Sequence, residues 1–289
     1  MRKCYLITTG HLEDGLWFLD EDDFKTGMNY VAVQASCSKV KIIAFILMSN
    51  HLHFVVYGDR LEVLSFTNAL KSRYSRYLRN KYGYKEYLRR NDVDIREIPE
   101  QDEAMERTIA YVQMNCVAAN ICAHPSQYSW GTGNVFFNSE PRRGRRIGDI
   151  SKRARIRMFH SEVTDLPPDW LVGDAGFILP ESYVNRKYVE QLFRTPKRMN
   201  YFLENSSKAK RRIETSEKNL PAFRDQAIIS VLPDLCRSLF RKQSFNELTD
   251  EEKPECLRQI RFRFSANVEQ IARVTGLTYE AAAGLLDSV

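Results

Sequence analysis

The chain has few cysteines, and none of them is arranged as metal-binding cysteines usually are. Its 289 residues include six cysteines, and no two of them are spaced Cys-x-x-Cys. A zinc knuckle is therefore not supported, and the pattern predicts reduced, mostly buried thiols, as in a cytosolic protein. These cysteines are Cys4, Cys37, Cys116, Cys122, Cys236 and Cys256.

Long apolar segments and nucleotide-binding glycine motifs are also missing. The apolar run at residues 42–48 is followed at once by Ser49, Asn50 and His51, far short of the ~20 residues that a membrane span needs. The first residues become polar too soon for a signal peptide. Since no Gly-x-x-x-x-Gly-Lys motif occurs, a helicase-type ATPase segment is not predicted. We expect a cytoplasmic protein with no membrane partner.

Net charge is +6, and the excess is confined to one half of the chain. Residues 1–138 hold 16 Lys and Arg against 16 Asp and Glu, whereas the remainder holds 27 against 21. Strongly basic regions suit nucleic acids, because Lys and Arg contact backbone phosphates.

Two basic clusters stand out within this distribution. The first, at residues 71–90, alternates with tyrosines that could stack on unpaired bases, although the same tyrosines fit the packed stripe of a helix. The second runs from residue 142 to residue 157, where a solvated face is the ordinary alternative. The predicted DNA contacts are Lys71, Arg73, Arg76 and Arg79 in the first cluster and Arg142, Arg143, Arg145 and Arg146 in the second.

Hydrophobic periodicity predicts a mixed fold in the first half of the chain. Strands are expected at residues 4–9, 42–48, 52–56 and 93–98, with a hairpin through Ser49 and Asn50. Helices are expected at 24–38, capped by Asp22 or Asp23, and at 61–82 and 100–119. This order predicts an α+β, ferredoxin-like βαββαβ domain with one added helix, over residues 1–137.

The sequence pattern changes after residue 137. Residues 138–220 read as a basic connecting region, and residues 221–289 as a mainly helical domain. Within that domain, residues 268–286 have the layout of a helix-turn-helix, with a turn at Gly276 and a cap at Thr278. A plain αα-hairpin explains the same pattern equally well.

Two histidines, His51 and His53, lie two residues apart in an apolar run. On a strand both imidazoles would leave the same face, since side chains alternate with period 2. Either histidine alone would ordinarily be a core residue, but the pair can present two metal ligands. Imidazole suits several divalent ions, so the histidines do not choose the metal.

Tyr111 and Asn115 are four residues apart on the predicted helix 100–119, and therefore share one helical face. A tyrosine that faces a metal can attack phosphorus, because the ion stabilises the charge that develops. Asn115 could give its carbonyl oxygen to the same metal. Considered alone, Tyr111 is equally a packed residue of an amphipathic helix.

Together these residues resemble those of a known family. Met-Ser-Asn followed by His51-Leu52-His53, a helical Tyr111, Asn115 four residues later, and then HPSQYSWGTG are similar to the single-tyrosine HUH transposases of the REP-associated type. The resemblance covers about residues 1–137. Family members often have Asn-Pro-Val after the tyrosine, where this chain has Asn115-Cys116-Val117.

The resemblance implies a DNA endonuclease and strand transferase. His51, His53 and Asn115 would bind Mg²⁺ or Mn²⁺, and Tyr111 would attack single-stranded, hairpin-flanked DNA to leave a 5′-phosphotyrosine link and a free 3′-OH. It further implies a nucleoid-associated bacterial protein that forms a homodimer in part of the family. We predict that residues beyond 138 recognise the hairpin, with the helix-turn-helix pattern as the best candidate.

Three other functions stay open at this level. A replication initiator or relaxase uses the same chemistry, but commonly has more tyrosines or a helicase segment. A non-catalytic, sequence-specific DNA-binding regulator derived from such an enzyme would not require His51, His53, Tyr111 and Asn115. A hydrolytic zinc enzyme would need a further well-spaced ligand, which His11, His124 and His160 do not supply.

Overall fold

The computed structural model describes residues 1–9, 17–83, 93–101, 103–119, 121–140, 143–207, 225–264 and 266–287. Its first six elements are β1 (Lys3–Thr8), α1 (Glu21–Ser36), β2 (Lys41–Leu47), β3 (Leu52–Gly58), α2 (Arg60–Tyr82) and β4 (Asp94–Glu97). Helices and strands thus follow one another in this part of the chain in the order that the periodicity predicts.

These four strands form one antiparallel sheet in the order β2-β3-β1-β4. Of the two central strands, β3 is buried at all but one residue, whereas β1 is buried only at Tyr5 and Ile7. In this register His53 of β3 lies opposite both Thr8 of β1 and Ile46 of β2. The predicted mixture of helices and sheet is confirmed, and the histidine pair lies at the start of β3, one of the two central strands.

Helix α1 begins earlier than predicted, because its cap is Asp20 rather than Asp22 or Asp23. The Asp20 carboxylate accepts from the backbone N–H of Asp23 at 2.9 Å, and the Asp23 carboxylate accepts from that of Asp20 at 3.3 Å. This reciprocal pair satisfies two N–H groups at the helix start. Asp59 and Glu62 form the equivalent capping box of α2, which ends at Gly83 with φ +70°.

The single helix predicted over residues 100–119 is two helices, α3 (Ala104–Gln113) and α4 (Asn115–Ala118). Helix α3 begins at residue 104 because the residue before it, Glu103, has a left-handed backbone, with φ +56°. At the break, the Asn115 amide donates to the backbone carbonyls of Tyr111 and Val112. Such bonds compete with the regular helical ladder, which accounts for the interruption.

The region predicted as a connector contributes to the same hydrophobic core as the sheet. It contains β5 (Arg145–Arg146), α5 (Lys152–Phe159), β6 (Leu171–Val172), α6 (Arg186–Phe193) and α7 (Pro196–Glu204). Phe177, Val184, Phe193 and Phe202 are buried there together with the strands. Helix α7 packs on α3, so this region supports the helix that bears Tyr111.

The last described residues form what we name the C-terminal helical unit, residues 225–287. It consists of α8 (Asp225–Phe240), α9 (Glu252–Phe264), α10 (Val268–Thr275) and α11 (Tyr279–Asp287). Ile228, Leu257, Ile260 and Ile271 are fully buried in a core of its own. The turn between α10 and α11 is at Gly276, with φ +75°, where the sequence pattern places it. In the described part of the chain, no helix has both the length and the apolarity to cross a membrane.

Candidate active site

The two histidines of the sheet lie against each other. Their ring centroids are 4.8 Å apart and the rings are almost perpendicular. His53 is on β3 and only 3% exposed, and its Nδ1 is 3.1 Å from the Thr8 hydroxyl on the neighbouring strand. The strand pairing between Thr8 and His53 therefore fixes the orientation of this ring.

His51 precedes β3 and is half-buried. Its Nδ1 is 2.8 Å from the side-chain carbonyl oxygen of Asn50, and a carbonyl oxygen can only accept. In the tautomer with its proton on Nδ1, the ring donates to this oxygen and the lone pair is on Nε2. Metal-binding histidines are commonly oriented by such a bond to the second ring nitrogen. Both rings are thus held through Nδ1, and a metal would be bound through Nε2.

Tyr111 is on the face of α3 that contacts the sheet. Its ring centroid is 5.6 Å from that of His53, with the rings nearly perpendicular. Helix α3 packs on both β2 and β3, which carries Tyr111 to the strand end where the histidines lie. The ring is half-buried, so the residue is neither a fully enclosed core tyrosine nor a loose surface one.

Asn115, the first residue of α4, is 3% exposed. Its amide nitrogen donates to the carbonyl oxygens of Tyr111, at 2.9 Å, and of Val112, at 3.1 Å. These two bonds orient the amide so that its oxygen faces away from the helix backbone. Asn115 is thereby tied directly to the residue that carries the candidate nucleophile.

His51, His53, Tyr111 and Asn115 all line one cleft of about 630 Å³. The opposite wall of that cleft belongs to the C-terminal helical unit, through Glu269 and Arg273 of α10 and Tyr279 and Glu280 of α11. The sequence gives no sign of this second wall, because the pattern of α10 and α11 shows a helical hairpin without showing where it packs.

The donor set of this cleft is restricted. Within the described residues, no three or more His, Cys, Asp and Glu side chains are grouped so that they could hold a metal. His124 and His160 line other cavities, and His11 is outside the described residues. Two imidazoles together with neutral oxygens fit a divalent ion that also takes oxygen from its substrate.

The predicted DNA-contact residues are not equivalent in the structure. Lys71 is 1% exposed, so the prediction that it contacts DNA is corrected: its side chain is enclosed between packed elements. Arg73 is half-buried and its Nε donates to Gln34 at 3.4 Å. The exposed members are Arg76, Arg79, Arg143, Arg145 and Arg146. Arg142, with Lys85, Arg89 and Arg90, is outside the described residues.

The tyrosines of the first basic cluster pack into the fold. Tyr74 is 1% exposed and its hydroxyl donates to the backbone carbonyl of Trp17 at 2.8 Å. Tyr77 is 8% exposed, and burial raises its pKa to about 12. Neither ring is available for stacking on bases. Tyr84 and Tyr87 are outside the described residues.

A family of known proteins matches the part of the chain that contains the two histidines. Residues 19–92 match the family model described as "Transposase IS200 like", a segment that spans α1 to α2 and includes His51 and His53. The resemblance to transposases that the sequence suggested is confirmed by this match. The similarity to this family is shown for residues 19–92. Tyr111 and Asn115 lie beyond the matched residues.

One solved structure is similar in part. It is a REP-associated tyrosine transposase bound to a REP hairpin, with 13% sequence identity and a TM-score of 0.36. The alignment covers 46% of this chain and 77% of that one. No curated protein matches the chain.

Proposed function

We propose that the protein is a metal-dependent, single-tyrosine nuclease and strand transferase, built on a ferredoxin-like βαββαβ core, that cleaves and rejoins single-stranded DNA. The observation that supports this most directly is the position of Tyr111, whose ring is 5.6 Å from that of His53 at the edge of one cleft. A tyrosine, two imidazoles and an amide oxygen are the groups that such a reaction uses.

In the proposed reaction, the Tyr111 hydroxyl oxygen attacks a backbone phosphorus of the DNA. The bond between phosphorus and the 3′ oxygen breaks as the tyrosine–phosphorus bond forms. The proton lost by the tyrosine is balanced by the one that the 3′ oxygen takes up, which gives a 5′-phosphotyrosine link and a free 3′-OH. Attack by a 3′-OH on that link reverses the step and rejoins the strand.

The protein would hold Mg²⁺ or Mn²⁺ through His51, His53 and Asn115. Such an ion polarises the phosphate oxygen and stabilises charge during the displacement. Thr8 and Asn50 then act by fixing the two imidazoles, since each contacts an Nδ1. Asn115 has a second effect, because its bonds to the carbonyls of Tyr111 and Val112 shape the helix break beside the nucleophile.

Replacement of Tyr111 by phenylalanine tests this proposal, since it deletes only the nucleophilic oxygen. Incubation of the full chain with end-labelled, hairpin-flanked single-stranded oligonucleotides and Mg²⁺ or Mn²⁺ should give a covalent adduct on a denaturing gel. We expect Tyr111→Phe to reduce the adduct by at least ~10³-fold, as loss of a nucleophile does in other enzymes.

Tyr201→Phe is the matched control, because Tyr201 is on α7, is 61% exposed and lies away from the cleft. It should form the adduct at the rate of the unmodified protein. An adduct that persists in Tyr111→Phe would refute the assignment. DNA binding without cleavage by the unmodified protein would instead support a non-catalytic DNA-binding regulator.

A further inference from the structure

A buried carboxylate joins the C-terminal helical unit to the loop that carries the histidines. Asp225, the first residue of α8, is 1% exposed and accepts four hydrogen bonds. The Ser49 hydroxyl and the Arg273 Nε each donate to its Oδ2 at 2.9 Å. The Gln270 amide donates to Oδ1 at 2.9 Å, and a second guanidinium nitrogen of Arg273 does so at 3.4 Å.

The partner Ser49 belongs to the loop between β2 and β3, two residues before His51. Its carbonyl oxygen accepts from the backbone N–H groups of Trp17, at 2.7 Å, and Phe18, at 3.1 Å. On the other side of the loop, the N–H of Met48 donates to the carbonyl of His51 at 2.8 Å. Ser49 is 3% exposed, so this part of the loop has one defined, enclosed position.

The other partners of Asp225 are on α10, the helix that supplies part of the second wall of the cleft. Arg273 both pairs with Asp225 and lines the cleft, next to Glu269 of the same helix. Removing a carboxylate from water is costly unless its partners compensate fully, and an apolar contact would join two units with less cost. Holding the loop and the C-terminal helical unit together therefore does not by itself explain why a charged residue is buried between them.

We propose that Asp225 is a positioning residue of the active site: through Ser49 it fixes the loop that presents His51, and through Gln270 and Arg273 it holds the C-terminal helices as the second wall of the cleft. The C-terminal helical unit is then part of the catalytic centre rather than an appended module. The inference depends on the proposed function only in taking His51 as a metal ligand.

Ser49→Ala is the sharpest test, because it removes the bond between loop and carboxylate and leaves the pair of Asp225 with Arg273 intact. Two measurements on the full chain, without DNA, separate positioning from chemistry. Mn²⁺ binding is followed by electron paramagnetic resonance, and the histidine ring nitrogens by long-range ¹H–¹⁵N NMR with His51 assigned through His51→Ala. Ser230→Ala, an exposed serine of α8 whose hydroxyl donates to its own helix, is the matched control.

We expect Ser49→Ala and Asp225→Asn to shift the His51 ring signals and to raise the Mn²⁺ concentration for half-saturation about tenfold, in the range seen when outer-shell partners of metal ligands are lost. Ser230→Ala should change neither. If Asp225→Asn fails to fold, the measurements on Ser49→Ala alone test whether Asp225 positions His51.

Unchanged ring signals and unchanged Mn²⁺ binding in folded Ser49→Ala would overturn the inference while leaving the proposed function intact. If the unmodified protein binds no Mn²⁺, the metal-dependent function fails instead. A shift of the His51 signals in Ser49→Ala would then still support the positioning role.

Discussion

The sheet region and the C-terminal helical unit meet at one cleft, yet they differ in charge and in how they contribute to it. Residues 1–138 are balanced in charge, whereas residues 225–289 hold 8 Lys and Arg against 10 Asp and Glu. The positive excess lies between them, where residues 139–224 hold 19 against 11. The helical unit therefore has the layout of a helix-turn-helix but lacks the net positive charge by which DNA-binding modules commonly attract phosphates.

This difference favours separate roles for the two regions after residue 138. The intervening region supplies exposed arginines, while the helical unit supplies a wall of the cleft and the buried Asp225. Substitutions in each region can break or sharpen this division.

The largest effect should come from the sheet side, at His53. His53→Ala removes one of the two imidazoles of the cleft, and the described residues hold no group of three or more His, Cys, Asp and Glu side chains placed to bind a metal. We expect Mn²⁺ affinity and the yield of covalent DNA adduct to fall by at least about 100-fold, the upper end of what loss of an outer-shell group alone causes. Calorimetric titration with Mn²⁺ and the gel assay measure the two quantities.

His124→Ala is the control for His53→Ala. His124 is exposed, bonds to Ser126 and lines a different cavity. Equal losses in the two variants would show that the histidine pair has no special role in metal binding.

On the helical side, Asp225→Asn should cause the next largest effect, on stability. The substitution leaves the Arg273 guanidinium, whose side chain is 17% exposed, without its countercharge. Breaking a buried pair in this way costs about 3–5 kcal/mol in the free energy of unfolding. Urea denaturation followed by tryptophan fluorescence measures it. Asp234→Asn on the same helix, where an exposed pair with Arg237 is lost, should cost at most about 1 kcal/mol.

The pH dependence of that loss follows from the pKa of Asp225. Burial alone would raise it, but the Arg273 guanidinium and the bonds from Gln270 and Ser49 outweigh burial and hold the pKa below its ordinary value of 3.8. The stabilisation is therefore fully present above pH 3.8 and lost as the pH falls towards the folded-state pKa. The difference between Asp225→Asn and the unmodified protein should be constant from pH 5 to pH 8 and shrink below pH 3.8. A difference that grows on acidification would contradict this assignment.

The residues of the site in the sheet region could be predicted from the sequence, whereas the contribution of the C-terminal helical unit could not. The spacing of His51 and His53 and that of Tyr111 and Asn115 are local, so periodicity alone places each pair on one face. Asp225 and Ser49 are separated by 176 positions, and no periodic pattern reports a contact of that kind. Lys71 shows a different limit, since a basic residue in a charged run carries no sign that its helix turns it inwards. The domain division at residues 137 and 220 remains a prediction.

The smallest effect should separate the two candidate DNA surfaces. Arg143, which precedes β5, and Arg146, which is in β5, are exposed, whereas Arg261 and Arg263 are exposed on α9. Each arginine that contacts phosphate should contribute about 0.7 to the slope of log affinity against log salt concentration for single strands. We expect Arg143→Gln with Arg146→Gln to lower that slope by about 1.4, measured by fluorescence anisotropy on a hairpin-flanked oligonucleotide.

The α9 pair is the matched control, because it removes the same charge from a region whose net charge is negative. If the balance of charge governs DNA binding, Arg261→Gln with Arg263→Gln should leave the slope unchanged. If only Arg261→Gln with Arg263→Gln lowered the slope, the result would show that the C-terminal helical unit recognises the hairpin. Equal decreases from both pairs would show that the DNA spans the two regions, because counterion release reports each contact wherever it lies on the surface.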